Sequence, residues 1–394
     1  MRLAVIAVSL LAGIAFLAGF LRSIWIAGAH AHQIPTTSAP AVTYNASTGP
    51  TYHGCKMYIP GDWFTTDVIS GSSRYVPTSI DAASATVMNY LELTYGDLNW
   101  YGPPAEVVNI TDNLTAMRPG SGSGIKNDPY NDDTNNSIPY AATFLVEGGH
   151  TTCSGGDCHT IELNVQTCVS WETYTWSSQG QNLFNGSSFS GGNGYVHNLN
   201  HAFNDQYSSD GNTITQAGLP MMGTTYFGEE LAYQQPSCQP NCYIPHAVGF
   251  FMPINGGSIS GAAPPSMVVA NCRYFCSHTI KEGARFILKA SFTCPPPTTM
   301  PQSNLVCNSL KRFGMIMDDT SANYGNCALH GFDGTGHYCS WGIRLGLNAD
   351  GSNPWQGDGC CGTSINGDLD NLFKPTSPYY MHISDFALIH GDGE

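Results

Sequence analysis

Short apolar runs separated by polar turns predict a mainly β protein: a β-sandwich or jelly roll with long loops, few short helices and several disulfides. Two observations lead to this fold class. Runs rich in Val, Ile, Thr, Tyr, Phe and Trp recur between stretches rich in Gly, Ser and Asn, which is the pattern of strands and turns. The 394-residue chain also has 14 cysteines, which fit structural disulfides in an oxidising compartment.

The clearest strand is GARFILKASF at residues 283–292, where alternating residue character predicts one face more buried than the other. The remaining strands are predicted at residues 142–147, 159–165, 169–176, 243–253, 315–319 and 379–390. We expect the three runs between residues 142 and 176 to pair antiparallel, because short turns containing Gly or Cys separate them.

Helices are predicted at residues 82–93 and 305–313, where apolar residues recur at helical spacing. Ser303 is the predicted N-cap of the second helix and Gly314 its stop signal. Residues 117–137 and 177–217 are polar and rich in Gly and Asn, so both are predicted loops, the second a lid or a decoration.

The chain divides into three predicted parts. Residues 1–31 form a signal peptide or signal anchor, because an apolar run ends near an A-x-A motif at residues 29–31; we favour cleavage. Residues 32–54 are a Pro/Ser/Thr-rich linker. Residues 55–394 form a single β-rich domain with a Cys-rich C-terminal extension at about 326–378. This order predicts an extracellular or cell-surface protein.

The charge balance restricts the partners. The formal net charge is -15, with only 14 Lys and Arg residues, so the chain would repel a phosphate backbone and nucleic acid is disfavoured. A polysaccharide or glycan suits a low-charge polar surface better, and self-association remains open.

Covalent modifications are predicted from the export signal. All the cysteines are disulfide candidates with open connectivity: Cys55, Cys153, Cys158, Cys168, Cys238, Cys242, Cys272, Cys276, Cys294, Cys307, Cys327, Cys339, Cys360 and Cys361. N-x-[ST] sequons predict glycosylation at Asn45, Asn109, Asn113, Asn135 and Asn185.

The sequence carries no G-x-S-x-G or H-E-x-x-H motif and no P-loop, which disfavours the enzyme classes those motifs mark. Histidines and carboxylates on several predicted strands remain as catalytic candidates: Glu147, His159, Glu230, His246, His278 and Asp319. A pair of carboxylates can hydrolyse glycosides, and a His with an acid can abstract a proton next to a carboxylate, as a lyase does. Each residue taken alone is more often a hydrogen-bonded structural group.

No cofactor is predicted. The carboxylates of residues 117–137 allow a calcium loop but lack the ligand spacing of an EF-hand. Copper is conceivable if cleavage leaves His32 as the mature N-terminus, or if His197 and His201 meet on one helical face. Neither alternative has a complete ligand set.

A series of short motifs resembles a largely uncharacterised family of secreted, mostly bacterial proteins. The matching pieces are EGG at 147–149, CHTIEL at 158–163, GLP at 218–220, IPHAVGF at 244–250, CSH at 276–278, GARFILKASF at 283–292 and LKRFGMIMDD at 310–319. The resemblance marks His159, His246 and His278 as site positions and implies no particular reaction. Two departures are Cys158, where the family has Arg, and the tail after Asn326.

Two hypotheses follow. The first, which we favour, is a secreted carbohydrate-active enzyme, a polysaccharide hydrolase or lyase that uses His and carboxylate residues on a sandwich face. The alternative is a non-catalytic glycosylated extracellular protein, a surface, matrix or filament subunit stabilised by disulfides.

Overall fold

The computed structural model describes the following parts of the chain: residues 42–45, 49–57, 62–69, 80–82, 84–95, 107–111, 116–119, 124–126, 138–139, 145–149, 158–175, 188–189, 193–201, 215, 219–233, 238–253, 259–262, 280–321, 342–356 and 367–390. Several predictions lie outside these residues: the export segment, His278, Asn113, Asn135, Asn185, Cys153, Cys272, Cys276, Cys327, Cys339, Cys360 and Cys361.

Strands dominate the described residues, as predicted. In chain order they are β1 (Val42–Asn45), β2 (Gly49–Tyr52), β3 (Cys55–Lys56), β4 (Val108–Thr111), β5 (Ala116–Pro119), β6 (Gly124–Lys126), β7 (Ile138–Pro139), β8 (Cys158–Asn164), β9 (Val169–Thr175), β10 (Ser188–Phe189), β11 (Asn193–Asn198), β12 (Val248–Pro253), β13 (Ile259–Ala262), β14 (Ile280–Glu282), β15 (Arg285–Leu288), β16 (Met315–Ser321), β17 (Gly342–Ile343) and β18 (Phe386–His390).

Helices are few and short. The α-helices are α1 (Ser84–Tyr95), α2 (Met221–Thr224), α3 (Pro301–Arg312) and α4 (Asp370–Phe373). Single 3-10 segments cover Glu147–Gly149, Gly228–Tyr233 and Ile383–Asp385. None of the helices in the described ranges has the length and apolar character needed to cross a bilayer.

Two five-stranded sheets form the centre of the fold. The first large sheet has the order β4-β8-β9-β11-β6, and the second has the order β17-β12-β16-β15-β18. Both are mixed: β8 and β9 pair antiparallel as predicted, whereas β12 pairs parallel with β16. Three smaller sheets have the orders β1-β2-β3, β10-β5-β7 and β13-β14.

Three predicted loop or linker regions contain strands instead. Strand β6 and most of β5 lie within the predicted loop at residues 117–137. Strand β11 lies within the predicted loop at residues 177–217, yet it is an internal strand of the first large sheet. Strands β1 and β2 lie within the predicted linker at residues 32–54 and form an antiparallel hairpin. In each of these regions the pairing with neighbouring strands outweighs the local composition.

Two hydrophobic clusters flank the second large sheet. On one face, Phe250, Phe286 and Met317 pack with Leu305 and Leu310 of helix α3. The other face contributes Ile316 and Ile389 to a cluster that also contains Val108, Ile161 and Leu163 of the first large sheet. The two large sheets therefore bury apolar side chains together, since side chains alternate between the faces of each strand.

Helix α3 begins earlier than predicted and has a remote cap. Pro301 occupies its first turn, and the carboxylate of Asp368 accepts the backbone N–H groups of Gln302 (2.6 Å) and Ser303 (3.2 Å). Ser303 is thus inside the helix rather than at its N-cap, and its hydroxyl donates to the carbonyl of Asp368. Gly314 follows the helix with φ 71°, as expected for its stop signal.

Three disulfides confirm that the chain contains several such bonds. They join Cys55 to Cys168, Cys238 to Cys242, and Cys294 to Cys307. The first links β3 to the β8–β9 turn, in which Oδ1 of Asn164 accepts the N–H groups of residues 166 and 167. The small sheet and the first large sheet are therefore covalently connected.

Arg285 of β15 is almost fully buried and is bound by backbone carbonyls. Its guanidinium donates to the carbonyls of Phe313, Trp63 (2.8 Å) and Thr66 (2.9 Å). Burial lowers the pKa of this guanidinium to about 9. The side chain ties the segment at residues 62–69 to the end of helix α3, which is a structural use of a buried cation.

Candidate functional site

Glu147 and His159 form a hydrogen-bonded pair at the start of strand β8. Nδ1 of His159 lies 3.1 Å from Oε2 of Glu147, and the same oxygen accepts the backbone N–H of His159 at 3.3 Å. Glu147 opens a tight turn in which Gly148 and Gly149 adopt positive φ, a conformation that suits glycine. The side chain of Glu147 is 30% exposed and that of His159 is 9% exposed, so solvent reaches the carboxylate.

The neighbours of Glu147 favour its ionised form. Burial alone would raise the pKa of this carboxyl, but the hydrogen bond and charge of His159 and the charge of Arg344 outweigh it, so the pKa lies below its ordinary value. An ionised carboxylate only accepts hydrogen bonds. Nδ1 of His159 is therefore the donor, and a neutral imidazole carries its lone pair on Nε2.

Glu172 of strand β9 is a second carboxylate on the same sheet face. It pairs with Ile161 while His159 pairs with Tyr174, so Glu172 and His159 are diagonal neighbours on that face. The fully buried carboxylate accepts the N–H groups of Met221 and Met222, both at 2.8 Å. Burial raises the pKa of Glu172 to about 7 despite these bonds and the charges of Arg344 and His159.

Asp318 and Arg344 add a buried ion pair. Oδ2 of Asp318 lies 2.5 Å from Nε of Arg344, and the two side chains are 0% and 6% exposed. The hydroxyl of Thr224 donates to the same oxygen at 3.2 Å. The charge of Arg344 acts on both Glu147 and Glu172, so the ion pair belongs to the same electrostatic group.

His246 and Glu230 form a separate, enclosed pair. Nε2 of His246 lies 2.9 Å from Oε1 of Glu230, while Nδ1 faces the carbonyl of Ala247 at 2.7 Å. The other oxygen of Glu230 accepts the N–H of Phe227 at 2.8 Å. The side chains are 1% and 0% exposed, so neither reaches solvent in this fold. This environment favours a structural role over the catalytic one that the sequence suggests.

The described contacts do not extend to the two remaining catalytic candidates. Asp319 is a residue of strand β16 that pairs with Phe251 across a register shift. His278 lies outside the described residues. The structure therefore brings the four described His and Glu candidates together as two pairs, one partly exposed and one buried.

Three members of the site were missed by the sequence analysis: Glu172, Asp318 and Arg344. Glu172 could have been noticed, because a carboxylate in the aromatic run VSWETYT must be stabilised if that strand is internal. Asp318 directly precedes the predicted Asp319, but the strand register decides which of the two faces the interior. Arg344 lies in a Gly- and Cys-rich stretch without a recognisable pattern.

The proposed metal ligands do not assemble among the described residues. No group of three or more His, Cys, Asp or Glu side chains in those ranges could hold a metal ion. His197 lies in strand β11, and His201 follows in a turn, so they do not share a helical face. Burial lowers the pKa of His197 to about 3, which keeps its imidazole neutral.

One predicted glycosylation site has a buried amide. Nδ2 of Asn109 donates to the carbonyls of Leu145 (2.8 Å) and Ile161 (3.0 Å), and Oδ1 accepts the N–H of Leu145 at 2.7 Å. The residue is 0% exposed. A glycan on this nitrogen would break these bonds, so the fold disfavours modification at Asn109. Asn45 is the last residue of strand β1.

The arrangement can perform acid–base chemistry at Glu147 and His159. A carboxylate bonded to Nδ1 fixes the tautomer and orientation of an imidazole and stabilises its protonated form, which leaves Nε2 to take or give a proton. The charge of Arg344 also lowers the pKa of Glu147, and the charges of Arg344 and His159 act on Glu172. A comparison of the chain with protein-family models, curated proteins and solved structures gave no match.

Proposed function

We propose that this chain is a secreted carbohydrate-active enzyme, a polysaccharide hydrolase or lyase, whose acid–base pair is Glu147 and His159. The observation that carries the proposal is the 3.1 Å contact between Nδ1 of His159 and a partly exposed carboxylate. In a functional pair of this kind the carboxylate orients the imidazole, and the imidazole exchanges the proton.

Each reaction type uses the pair differently. In a lyase, Nε2 of His159 removes the proton at C5 next to the carboxylate of a uronic acid, and Glu147 stabilises the resulting imidazolium. The C4–O glycosidic bond breaks as the C4–C5 double bond forms, and the imidazolium returns the proton to the leaving oxygen. In a hydrolase, the ionised Glu147 serves as base or nucleophile, and a protonated partner protonates the leaving oxygen. The lowered pKa of Glu147 favours the ionised carboxylate that a base or nucleophile requires.

The wider features of the chain support an extracellular glycan as the partner. Disulfides persist in oxidising compartments, and three are present. A net charge of -15 disfavours polyanions such as nucleic acid. The apolar cluster shared by the two large sheets supports the sandwich form of the fold. Parallel pairs such as β12 with β16 speak against a jelly roll, whose strands run antiparallel.

A panel of neutral and uronic-acid polysaccharides tests the proposal with the full secreted chain. Product release would be followed as new reducing ends, and lyase products by the ultraviolet absorbance of the unsaturated sugar. We expect at least one polysaccharide to be cleaved by the natural chain and not by His159→Ala. No cleavage of any polymer, or equal cleavage by both proteins, would remove the proposal.

The alternative, a non-catalytic extracellular structural protein, also has an observation in its favour. His246, Glu230, Glu172 and Arg285 are all buried and hydrogen-bonded within the fold, which is how polar groups stabilise a fixed structure. Sedimentation of the purified chain separates the two functions. An ordered polymer without polysaccharide cleavage would favour the structural protein, and a monomer with cleavage would favour the enzyme.

A further inference from the structure

The carboxylate of Asp318, which forms the ion pair with Arg344, lies in a tightly confined space. Asp318 lies at the register shift between β12 and β16, where Phe250 pairs with Met317 and Phe251 with Asp319. Gly249 of β12 faces it, and a Cβ at position 249 would overlap Oδ2 of Asp318 and come within 2.9 Å of the Cβ of Thr224. Only a glycine leaves room for the carboxylate at this position.

Arg344 is held by its backbone as well as by its side chain. Its N–H donates to the carbonyl of Gly249 at 2.9 Å, and its carbonyl accepts the N–H of Tyr226 at 3.1 Å. The next residue, Leu345, forms a bridge with Tyr226. The backbone at Arg344 is therefore fixed on both sides, and its guanidinium is bound by Asp318.

The chain that follows Arg344 packs against the turn that carries Glu147. Leu347 forms a small cluster with Leu145 and Val107. A Cβ on Gly149 would lie 3.1 Å from Cδ1 of Leu347 and 3.3 Å from the carbonyl oxygen of Gly351. These contacts hold the segment that follows Arg344 against the turn of Glu147 independently of any charge.

We propose that the Asp318–Arg344 ion pair is the positioning element of the candidate site, holding a fixed positive charge behind the Glu147–His159 pair. This inference rests on the proposed function only for its catalytic consequence. The fixed charge adds to the larger effects of the His159 hydrogen bond and charge, which favour the ionised form of Glu147, so Glu147 remains the acceptor of the His159 Nδ1–H. Arg344 acts through Glu147 and is a positioning residue, not a catalytic one.

Several charged or titratable groups influence the Glu147 carboxyl, directly or through one another. His159 of β8 donates to it, and Arg344 contributes its charge. Glu172 of β9 responds to the charges of Arg344 and His159, and Asp318 of β16 opposes the charge of Arg344. Changing the charge of one partner of the ion pair should therefore alter the field at Glu147 with a defined sign.

Two variants should shift the pKa of Glu147 in opposite directions. Asp318→Asn keeps the shape of the side chain but removes its negative charge, so Arg344 is no longer compensated and the pKa of Glu147 should fall further. Asp318→Asn combined with Arg344→Gln removes both charges, so the pKa of Glu147 should rise relative to the natural chain. The Glu147 carboxyl carbon would be followed by NMR of the full chain labelled with ¹³C-glutamate, and Glu147→Gln assigns its signal.

A buried ion pair elsewhere provides the matched control. Nζ of Lys374 lies 3.0 Å from Oδ2 of Asp370, and these side chains are 3% and 1% exposed. Asp370→Asn combined with Lys374→Gln should lower stability to a similar degree and leave the Glu147 titration unchanged. A merely structural role for Asp318 and Arg344 predicts the same result for both double variants.

Shifts of opposite sign for the single and double variants of Asp318 and Arg344 support the inference. Unchanged titration of Glu147 in both would overturn it. If the double variant does not fold, the downward shift in Asp318→Asn alone still decides the outcome. In the polysaccharide assay the double variant should lose roughly 100-fold in kcat/KM. Shifts without any cleavage by the natural chain would keep the positioning role and reject the proposed function.

Discussion

Gly249 lies so close to Asp318 that a single methyl group at position 249 would overlap the Asp318 carboxylate. This contact couples strands β12 and β16 at the point where the buried ion pair with Arg344 is formed. The packing of the second large sheet and the charge distribution of the candidate site therefore depend on the same position.

Gly249→Ala should destabilise the fold by about 3 kcal/mol or more, because it overpacks the interior and displaces one partner of a buried ion pair. Urea denaturation measures the loss. Gly54→Ala is the matched control, since a Cβ there has nothing within 4 Å and only its φ of 86° is unfavourable. We expect about 1–2 kcal/mol for Gly54→Ala. Equal losses for the two variants would contradict the contact.

Glu172→Gln should become more stable relative to the natural chain as the pH rises from 4.5 to about 7. The folded-state pKa of Glu172 is raised from 4.5 to about 7, so the folded state binds more protons in this window and its stability falls as the pH rises. Glutamine removes that dependence, and the expected gain is up to about 3 kcal/mol.

The stability of Glu172→Gln must be compared with that of the natural chain at each pH, because other groups titrate in the same range. His197 has its pKa lowered from 6.5 to about 3, which makes stability rise with pH between those values and opposes the effect of Glu172. The pKa of Glu147 lies below its ordinary value, so this carboxyl hardly changes the dependence of stability on pH above pH 4.5. Denaturation of both proteins at several pH values gives the difference, and a difference independent of pH would refute the assignment.

The disulfides should differ in how much they stabilise the fold, according to the length of the loop that each one closes. Cys55 and Cys168 are separated by 113 residues, and Cys238 and Cys242 by only 4. Loop-closure entropy predicts about 5 kcal/mol for the first bond and about 2 kcal/mol for the second. Paired Cys→Ala variants with denaturation curves compare the two, and a larger loss from the short loop would be inconsistent with this estimate.

His246→Ala should cost more stability than His159→Ala. Removing His246 leaves Glu230 buried without its charge partner, and the expected loss is about 3–5 kcal/mol. Removing His159 leaves Glu147, whose side chain is 30% exposed, so water replaces the lost bond and the expected loss is about 1 kcal/mol. Chemical denaturation distinguishes them. A smaller loss for His246→Ala than for His159→Ala would contradict the separation into structural and functional pairs.

The fold could be predicted from the sequence where local pattern and tertiary pairing agree. Strands β8, β9 and β15 alternate visibly, and helix α3 has clear helical spacing followed by Gly314. Strand β11 was missed because its order comes from pairing with β9 rather than from its own composition. The cap of helix α3 was misassigned because Asp368, which supplies it, is more than 60 residues away in the chain.

The candidate site was predictable only in part, for a related reason. Glu147 and His159 stand in short motifs whose order along the chain pointed to them. Glu230 and His246 carry the same residue types, but their burial follows from packing that no local pattern expresses. Arg344 has no sequence signal, and its role depends on its ion pair with Asp318, which lies at the register shift between β12 and β16.

A double-mutant cycle on Glu147 and His159, measured as kcat/KM on the polysaccharide that the natural chain cleaves best, tests the central claim most directly. Since the two residues act as one unit, we predict that Glu147→Gln and His159→Ala each lower kcat/KM by about 10²- to 10⁴-fold. Combining them should cost little more than the larger single loss. Single variants that retain the natural rate, or losses that multiply in the double variant, would contradict the account.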